Sequence, residues 1–207
     1  MKTYRDYYFL KAKQENYPAR SIYKLQEINK RFQIIKSGAR VLDLGASPGS
    51  WSLGASEMTG PSGSVLAVDI QETTTNFPPN VTFMREDVFS RSKAFEAELK
   101  TRSPFHAIIS DMAPFTTGHR STDQARSAAL SEEALAVAVS CLINGGSFVV
   151  KVFMGPDTQT LASSMRKYFS RVQAFKPKSS RSESMETFYI GIGFKALPPH
   201  DPGGEGS

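Results

Sequence analysis

A lysine interrupts the apolar run Val149-Val150-Lys151-Val152-Phe153, a stretch that otherwise reads as a strand buried on both faces. Acids stand at comparable places elsewhere. Asp69 follows the run 64–68, Asp87 comes shortly after 81–84, and Asp111 follows 105–110. Glu186 immediately precedes the run 187–194, and Lys24 lies beside Ile28 on a helical stretch near the start. Two lysines and two or more carboxylates in one site could move a proton or hold a polar substrate. A lysine merely paired with Asp111 or Glu186 at a strand end would be structural instead. The residue types alone leave both readings open.

The stretch Val41-Leu42-Asp43-Leu44-Gly45-Ala46-Ser47-Pro48-Gly49-Ser50-Trp51 reads as a strand, a glycine loop and the start of a helix. Such a loop lets a ligand approach main-chain N–H groups. Three ligand chemistries compete for it. A dinucleotide fingerprint needs G-x-G-x-x-G, but Ser47 and Ser50 occupy its second and third glycine positions. Gly45-Ala46-Ser47-Pro48-Gly49 also matches the G-x-S-x-G elbow of hydrolases. That elbow needs a histidine, and only His106, His119 and His200 exist, none with a convincing acid partner. The third ligand, S-adenosylmethionine, carries no phosphate. Asp69 would accept from its ribose hydroxyls and Asp87 would meet its adenine amino group, which uses every acid where it stands.

The elements that carry these residues alternate between apolar runs and helical stretches. Strands are expected at 40–44, 64–68, 81–84, 105–110, 147–153, 172–175 and 187–194. Helices are expected at 19–32, 50–58, 95–102, 122–143 and 158–169, the fourth stopped by Asn144-Gly145-Gly146. In the first, Ile22, Leu25, Ile28 and Phe32 make one apolar stripe. Strands alternating with helices predict an α/β fold, with a mostly parallel, doubly wound sheet. The last two strands lack an intervening helix and should pair antiparallel. In such sheets ligands bind beyond the carboxyl ends of the strands. The glycine loop, Asp69, Asp87, Asp111, Lys151 and Glu186 all fall at that edge.

Charge is distributed unevenly along the 207 residues, whose net charge is +5. Residues 1–40 hold ten Lys/Arg against three Asp/Glu, and Arg166 to Arg181 contains no acid. Tyr4, Tyr7, Tyr8 and Phe9 stand among the cations of the arm. Two basic regions flanking a near-neutral core suggest a polyanion such as RNA. The single cysteine, Cys141, forms no internal disulfide and suits a reducing cytoplasm. No apolar run reaches the length of a membrane span. No cluster of His and Cys suggests a metal.

The chain resembles the FtsJ (RrmJ) family of RNA ribose 2′-O-methyltransferases over nearly its whole length. The resemblance rests on Asp6-x-Tyr8, Ala19-Arg20-Ser21-Ile22-Tyr23-Lys24-Leu25-Gln26-Glu27-Ile28 and the Asp43–Trp51 loop. It extends through Ser110-Asp111-Met112-Ala113-Pro114, Val150-Lys151-Val152-Phe153, Lys176-Pro177 and Ser179-Ser180-Arg181 to Glu186. It implies a Rossmann-like methyltransferase fold, a seven-stranded sheet with one antiparallel strand and helices on both faces. It places a catalytic tetrad on Lys24, Asp111, Lys151 and Glu186, with Lys151 as general base. It places S-adenosylmethionine contacts on Gly45, Gly49, Trp51, Asp69, Asp87 and Asp111. Ser50 stands where many members have glycine, and Met185 where many have a basic residue.

The short form with a basic arm resembles the bacterial members. That implies a cytoplasmic monomer methylating a uridine ribose in the A-loop of 23S rRNA, with no DNA or membrane partner. Methylation of tRNA or capped mRNA, or an idle RNA-binding assembly factor, are the alternatives. The expected organisation is a basic RNA-contacting arm and helix over 1–38, a methyltransferase domain over 39–197 and a disordered tail over 198–207.

Overall fold

A computed structural model of the chain describes residues 7–196. The tail expected at 198–207, together with Tyr4 and Asp6 of the arm, lies outside the described residues. The elements run α1 (Tyr7–Gln14), α2 (Ile22–Phe32), β1 (Arg40–Leu44), α3 (Ser50–Thr59), β2 (Ser64–Asp69) and β3 (Val81–Arg85). They continue with α4 (Lys93–Arg102), β4 (Phe105–Ser110), α5 (Arg120–Cys141), β5 (Leu142–Phe153), α6 (Thr158–Tyr168), β6 (Phe169–Phe175) and β7 (Glu186–Phe194).

The seven strands form one sheet in the order β3-β2-β1-β4-β5-β7-β6. From β3 to β5 the pairing is parallel, with Leu42 opposite both Leu66 and Ile108. β7 is antiparallel to β5 and to β6, so it alone reverses direction. The last two strands pair as expected, and β7 slots between β5 and β6. The chain winds outward from β1 to β3, then crosses back to β4. The topological switch therefore lies between β1 and β4, where such sheets open a binding crevice.

Alternation along the strands divides the core into two layers. Leu42, Leu44, Leu66 and Ile108 pack under α4, α5 and α6 through Phe95, Ala134, Leu161 and Met165. Val41, Val65, Ala107 and Ile109 pack under α2 and α3 through Leu25, Ile28, Trp51 and Ala55. Each such fully buried aliphatic side chain contributes roughly 1.5–3 kcal/mol. The stripe of α2 thus packs into the main core, and the basic segment is integrated into the domain from α2 onward. α1 is held more lightly, by Ala12 and by Tyr8 against Tyr23. Cys141 is buried, as its apolar surroundings suggested.

Two boundaries differ from expectation in an informative way. α2 begins at Ile22, three residues after the expected start. The Asn144-Gly145-Gly146 stretch does not stop a helix: α5 ends at Cys141 and the three residues lie inside β5. Leu142 pairs with Phe105 and Ser147 with Ala107, so the glycines form an irregularity in the strand. Gly145 has φ +81, which a bulge tolerates only in glycine.

Candidate active site

The glycine loop is shaped by what crowds it. Gly45 has φ +81, and a Cβ there would lie 2.6 Å from Met112 Cγ and 2.8 Å from the Met112 main chain. Only glycine lets the turns after β1 and β4 approach this closely. The Gly45 and Ala46 N–H groups donate to Val68 O at 2.9 and 3.1 Å. Ser47 N–H donates to Asp69 Oδ2 and Gln71 N–H to Asp69 Oδ1, both at 2.8 Å. Asp69 is thereby fixed at the end of β2, and each oxygen keeps a lone pair for a ligand hydroxyl. Gly49, with φ +117, is the residue from which α3 starts. The Thr73 and Thr75 hydroxyls donate to Pro48 O at 2.9 and 2.6 Å and strap the loop from outside.

A cleft of about 430 Å³ opens at this edge. Gly45, Asp69, Asp87, Asp111 and Lys151 all line it, with apolar walls from Ile70, Val88, Met112 and Leu130. That volume suits a small-molecule ligand. Asp87 is oriented by Phe89 N–H, which donates to its Oδ1 at 2.9 Å. Two residues expected at the cofactor do not line the cleft. Gly49 packs against Thr75. Trp51 is 2% exposed, its indole N–H donates to Ser21 O at 2.9 Å and its ring stacks 5.6 Å from Phe188. Its indole is a core element.

The four charged residues arrive as two ion pairs. Lys151 Nζ lies 2.8 Å from Asp111 Oδ1 and donates to Asp111 O at 2.5 Å. Lys24 Nζ lies 2.5 Å from Glu186 Oε1, which also accepts from Ser180 Oγ at 2.9 Å. The β5–β7 register sets Phe153 opposite Glu186 and Lys151 opposite Phe188. Lys151 and Glu186 therefore share the sheet face covered by α2, from which Lys24 reaches down over the Phe188 ring. Burial pushes the Glu186 carboxyl up, but Lys24, the Ser180 hydroxyl and Lys151 together hold it below the usual carboxylate range.

Four supporting residues were given no role by the sequence reading. Asp43 is fully buried on β1 and accepts from Ser52 Oγ at 2.6 Å. Burial pushes its carboxyl up to about 7, against the Ser52 hydrogen bond and with a further push from Asp111 and Asp69. A lone acid in an apolar strand was its signal, the same kind that marked Lys151. Glu27 accepts from Lys178 N–H at 2.7 Å and Ser179 N–H at 2.8 Å, pinning the loop before β7 to α2. Arg20 donates to Ser179 O from the same side. Ser131 Oγ lies 2.7 Å from Ser127 O and 3.1 Å from Lys151 O, so its hydroxyl sits between α5 and the β5 main chain. A second recess of about 450 Å³ adjoins the Lys24–Glu186 pair, with Arg20 and Arg181 in its wall.

Among the described residues the hydrolase elbow has no histidine partner. Ser47 Oγ donates to Glu72 O at 3.4 Å. His106 Nδ1 accepts from Arg40 N–H at the opposite edge of the sheet, and burial with Arg40 nearby holds that ring below its usual pKa. Neither His106 nor His119 lines the cleft. Among the described residues no group of three or more His, Cys, Asp or Glu could hold a metal ion. No helix among them is long and apolar enough to cross a membrane.

Comparison with known proteins points the same way. The profile of the FtsJ-like methyltransferase family matches residues 17–194. The chain is 69% identical over 198 residues to ribosomal RNA large subunit methyltransferase E of Oleidesulfovibrio alaskensis, covering 96% of each. It is 58% identical over 195 residues to the protein of the same name from Lawsonia intracellularis, covering 94% of this chain and 98% of that one. Among solved structures, a Plasmodium falciparum protein described as a ribosomal RNA methyltransferase superposes with a TM-score of 0.76 at 24% identity. That match covers 87% of this chain and 100% of the other, and it supports the fold. A glycine-cradled cleft at the switch point, two ion pairs beside it and a profile match across the whole sheet place the chain in the FtsJ-like methyltransferase family.

Proposed function

We propose that this chain transfers a methyl group from S-adenosylmethionine to a ribose 2′-hydroxyl in RNA, at a uridine in the A-loop of 23S rRNA. One observation carries the chemistry: Lys151, 7% exposed, is held by Asp111 at the inner wall of a cleft that Asp69 and Asp87 also line. The residues fit the cofactor. The Gly45 cradle admits no side chain, Asp69 can accept from ribose hydroxyls and Asp87 can accept from the adenine amino group.

S-adenosylmethionine, when bound, supplies an electrophilic methyl group on a sulfonium. Lys151 is the group placed to take the proton from the attacking 2′-hydroxyl as general base. Asp111 fixes the Lys151 side chain through both its carboxylate and its carbonyl. Lys24 and Glu186, paired at 2.5 Å, hold the acceptor ribose beside it. Most of the acceleration comes from alignment of the reacting atoms.

The names of the relatives, the basic segment over 1–38 and the acid-free stretch 166–181 support an rRNA substrate. The protein is read as a cytoplasmic monomer, with the basic helix α2 packed into its methyltransferase domain. The test is transfer of labelled methyl to undermethylated large ribosomal subunits, tRNA and capped RNA in parallel, with mapping of the modified nucleotide. Label on a 23S uridine ribose is the expected result. Label confined to tRNA or cap would move the substrate, and no label on any RNA would overturn the reaction.

A further inference from the structure

Among the described residues, seven large apolar side chains are exposed: Tyr7, Phe9, Leu10, Ile70, Phe89, Phe115 and Met154. The first three belong to α1. The other four follow the carboxyl ends of β2, β3, β4 and β5, so they share the edge that carries the cleft. Apolar residues scattered singly over a surface need no explanation, but a set gathered at one functional edge does. Phe115 is the most exposed of them, at 72%.

Its loop is not loosely held. Four residues after Asp111, the Phe115 carbonyl accepts from Arg126 Nη1 at 3.4 Å. Two residues further, Thr117 donates both its N–H and its hydroxyl to Asp123 Oδ1 at 2.8 Å. Asp123 is buried at the start of α5, and the Thr117 N–H foremost holds its carboxyl below the usual range. His119 N–H closes the turn on Thr117 Oγ1 at 3.2 Å. α5 also holds the neighbouring strand's exposed apolar residue, since Gln124 Nε2 donates to Met154 O. Two adjacent loops are thus fastened to one helix in a way that leaves a phenyl ring and a thioether outside. The fold forgoes the stabilisation that burying them would bring.

The two flanks of the site differ in chemistry. On the α2 flank stand Lys24, Glu186, Ser180 and Arg20, which suit a ribose and its phosphates. On the α5 flank stand Phe115 and Met154, which suit the π-face of a base. We propose that Phe115 is the platform on which the base of the acceptor nucleotide stacks, unpaired, while its ribose meets Lys151. The assignment rests on the RNA methylation read above and adds the base-holding residue to it. Because Phe115 also lines the cleft, its alternative role is a cover over the cofactor, and the experiment separates the two.

Phe115→Ala, Phe115→Leu and Phe115→Tyr are prepared in the full chain. Each is assayed for methyl transfer to undermethylated large ribosomal subunits and for S-adenosylhomocysteine affinity by calorimetry. Stacking predicts that Phe115→Ala raises the KM for subunits about ten-fold. Phe115→Leu should fall nearly as far, Phe115→Tyr should stay close to wild type, and S-adenosylhomocysteine affinity should hold within about two-fold. Full recovery by leucine, or a subunit KM that does not move in the alanine variant, overturns the platform. A parallel loss of S-adenosylhomocysteine affinity overturns it in favour of a cofactor cover. Wild-type protein that labels no subunit overturns the methylation reading and this assignment together.

Discussion

Lys151 Nζ touches Asp111 twice, at 2.8 Å from the carboxylate Oδ1 and at 2.5 Å from the main-chain carbonyl. The second contact ties the amine to the β4 turn itself, so the lysine cannot swing away when the carboxylate moves. Replacing Lys151 by Ala should therefore remove transfer by at least about a hundred-fold, the usual worth of a positioned base. Cofactor binding should survive, because Gly45, Asp69 and Asp87 do not depend on the ammonium. Single-turnover transfer beside calorimetry with S-adenosylhomocysteine reads both quantities. Transfer near the wild-type rate would remove Lys151 as the base.

The Lys24–Glu186 pair makes a prediction about acid. Glu186 is held below the usual carboxylate range, so more protons bind to the unfolded chain than to the folded one as pH falls. Its stabilising contribution is complete above the ordinary carboxylate pKa and disappears as pH drops through the lower folded value. Glu186→Gln should accordingly cost stability near neutrality, and the gap to wild type should close below about pH 4. Lys24→Met should shift wild-type behaviour the other way, because burial then acts on Glu186 without its main opponent. Thermal unfolding of the three proteins between pH 3 and 8 checks the sign.

Asp43 behaves in the opposite sense. Its folded pKa of about 7 lies above the ordinary 3.8, so between those values the folded protein holds a proton that the unfolded chain has lost. Stability therefore falls as pH rises through that window, by at most about 1.4 kcal/mol per unit. Asp43→Asn keeps an acceptor for Ser52 Oγ and removes the titration. The variant should match wild type near pH 4, grow progressively more stable than it up to about pH 7 and keep that lead to pH 8. A constant difference across that range would show that Asp43 does not titrate there.

These outcomes bear on what could be read from the chain alone. Lys151 was legible because a charge in an apolar strand has few bland explanations. The stripe Ile22, Leu25, Ile28 was legible because helical periodicity is local. The placing of β7 between β5 and β6 was not, since strand order depends on pairings far apart in sequence. The Asn144-Gly145-Gly146 stretch misled because the same residues that stop helices also build bulges. The packing of the Trp51 ring was not legible, since its partner Phe188 lies far along the chain on β7. The Glu27 anchor was invisible, since its partners lie 151 and 152 residues away.

That anchor supports the last prediction. The loop between β6 and β7 carries Lys176, Lys178, Arg181 and Ser180, and Ser180 in turn holds Glu186 at 2.9 Å. One carboxylate accepting two successive main-chain N–H groups fixes both position and direction of that loop, because a single hydrogen bond would leave it free to pivot. Glu27→Ala releases both, at a cost of about 1.5–3 kcal/mol for a hydrogen bond to a charged group. Folding should survive, since Leu25 and Ile28 on the same helix stay buried. The substrate side should suffer instead: a raised KM for ribosomal subunits, unchanged S-adenosylhomocysteine affinity and faster amide exchange at Lys178 and Ser179. Glu27→Gln, which keeps one acceptor oxygen, should fall between. If amide exchange quickens while the subunit KM stays constant, the loop is held for stability alone and Glu186 is positioned by Lys24 without it.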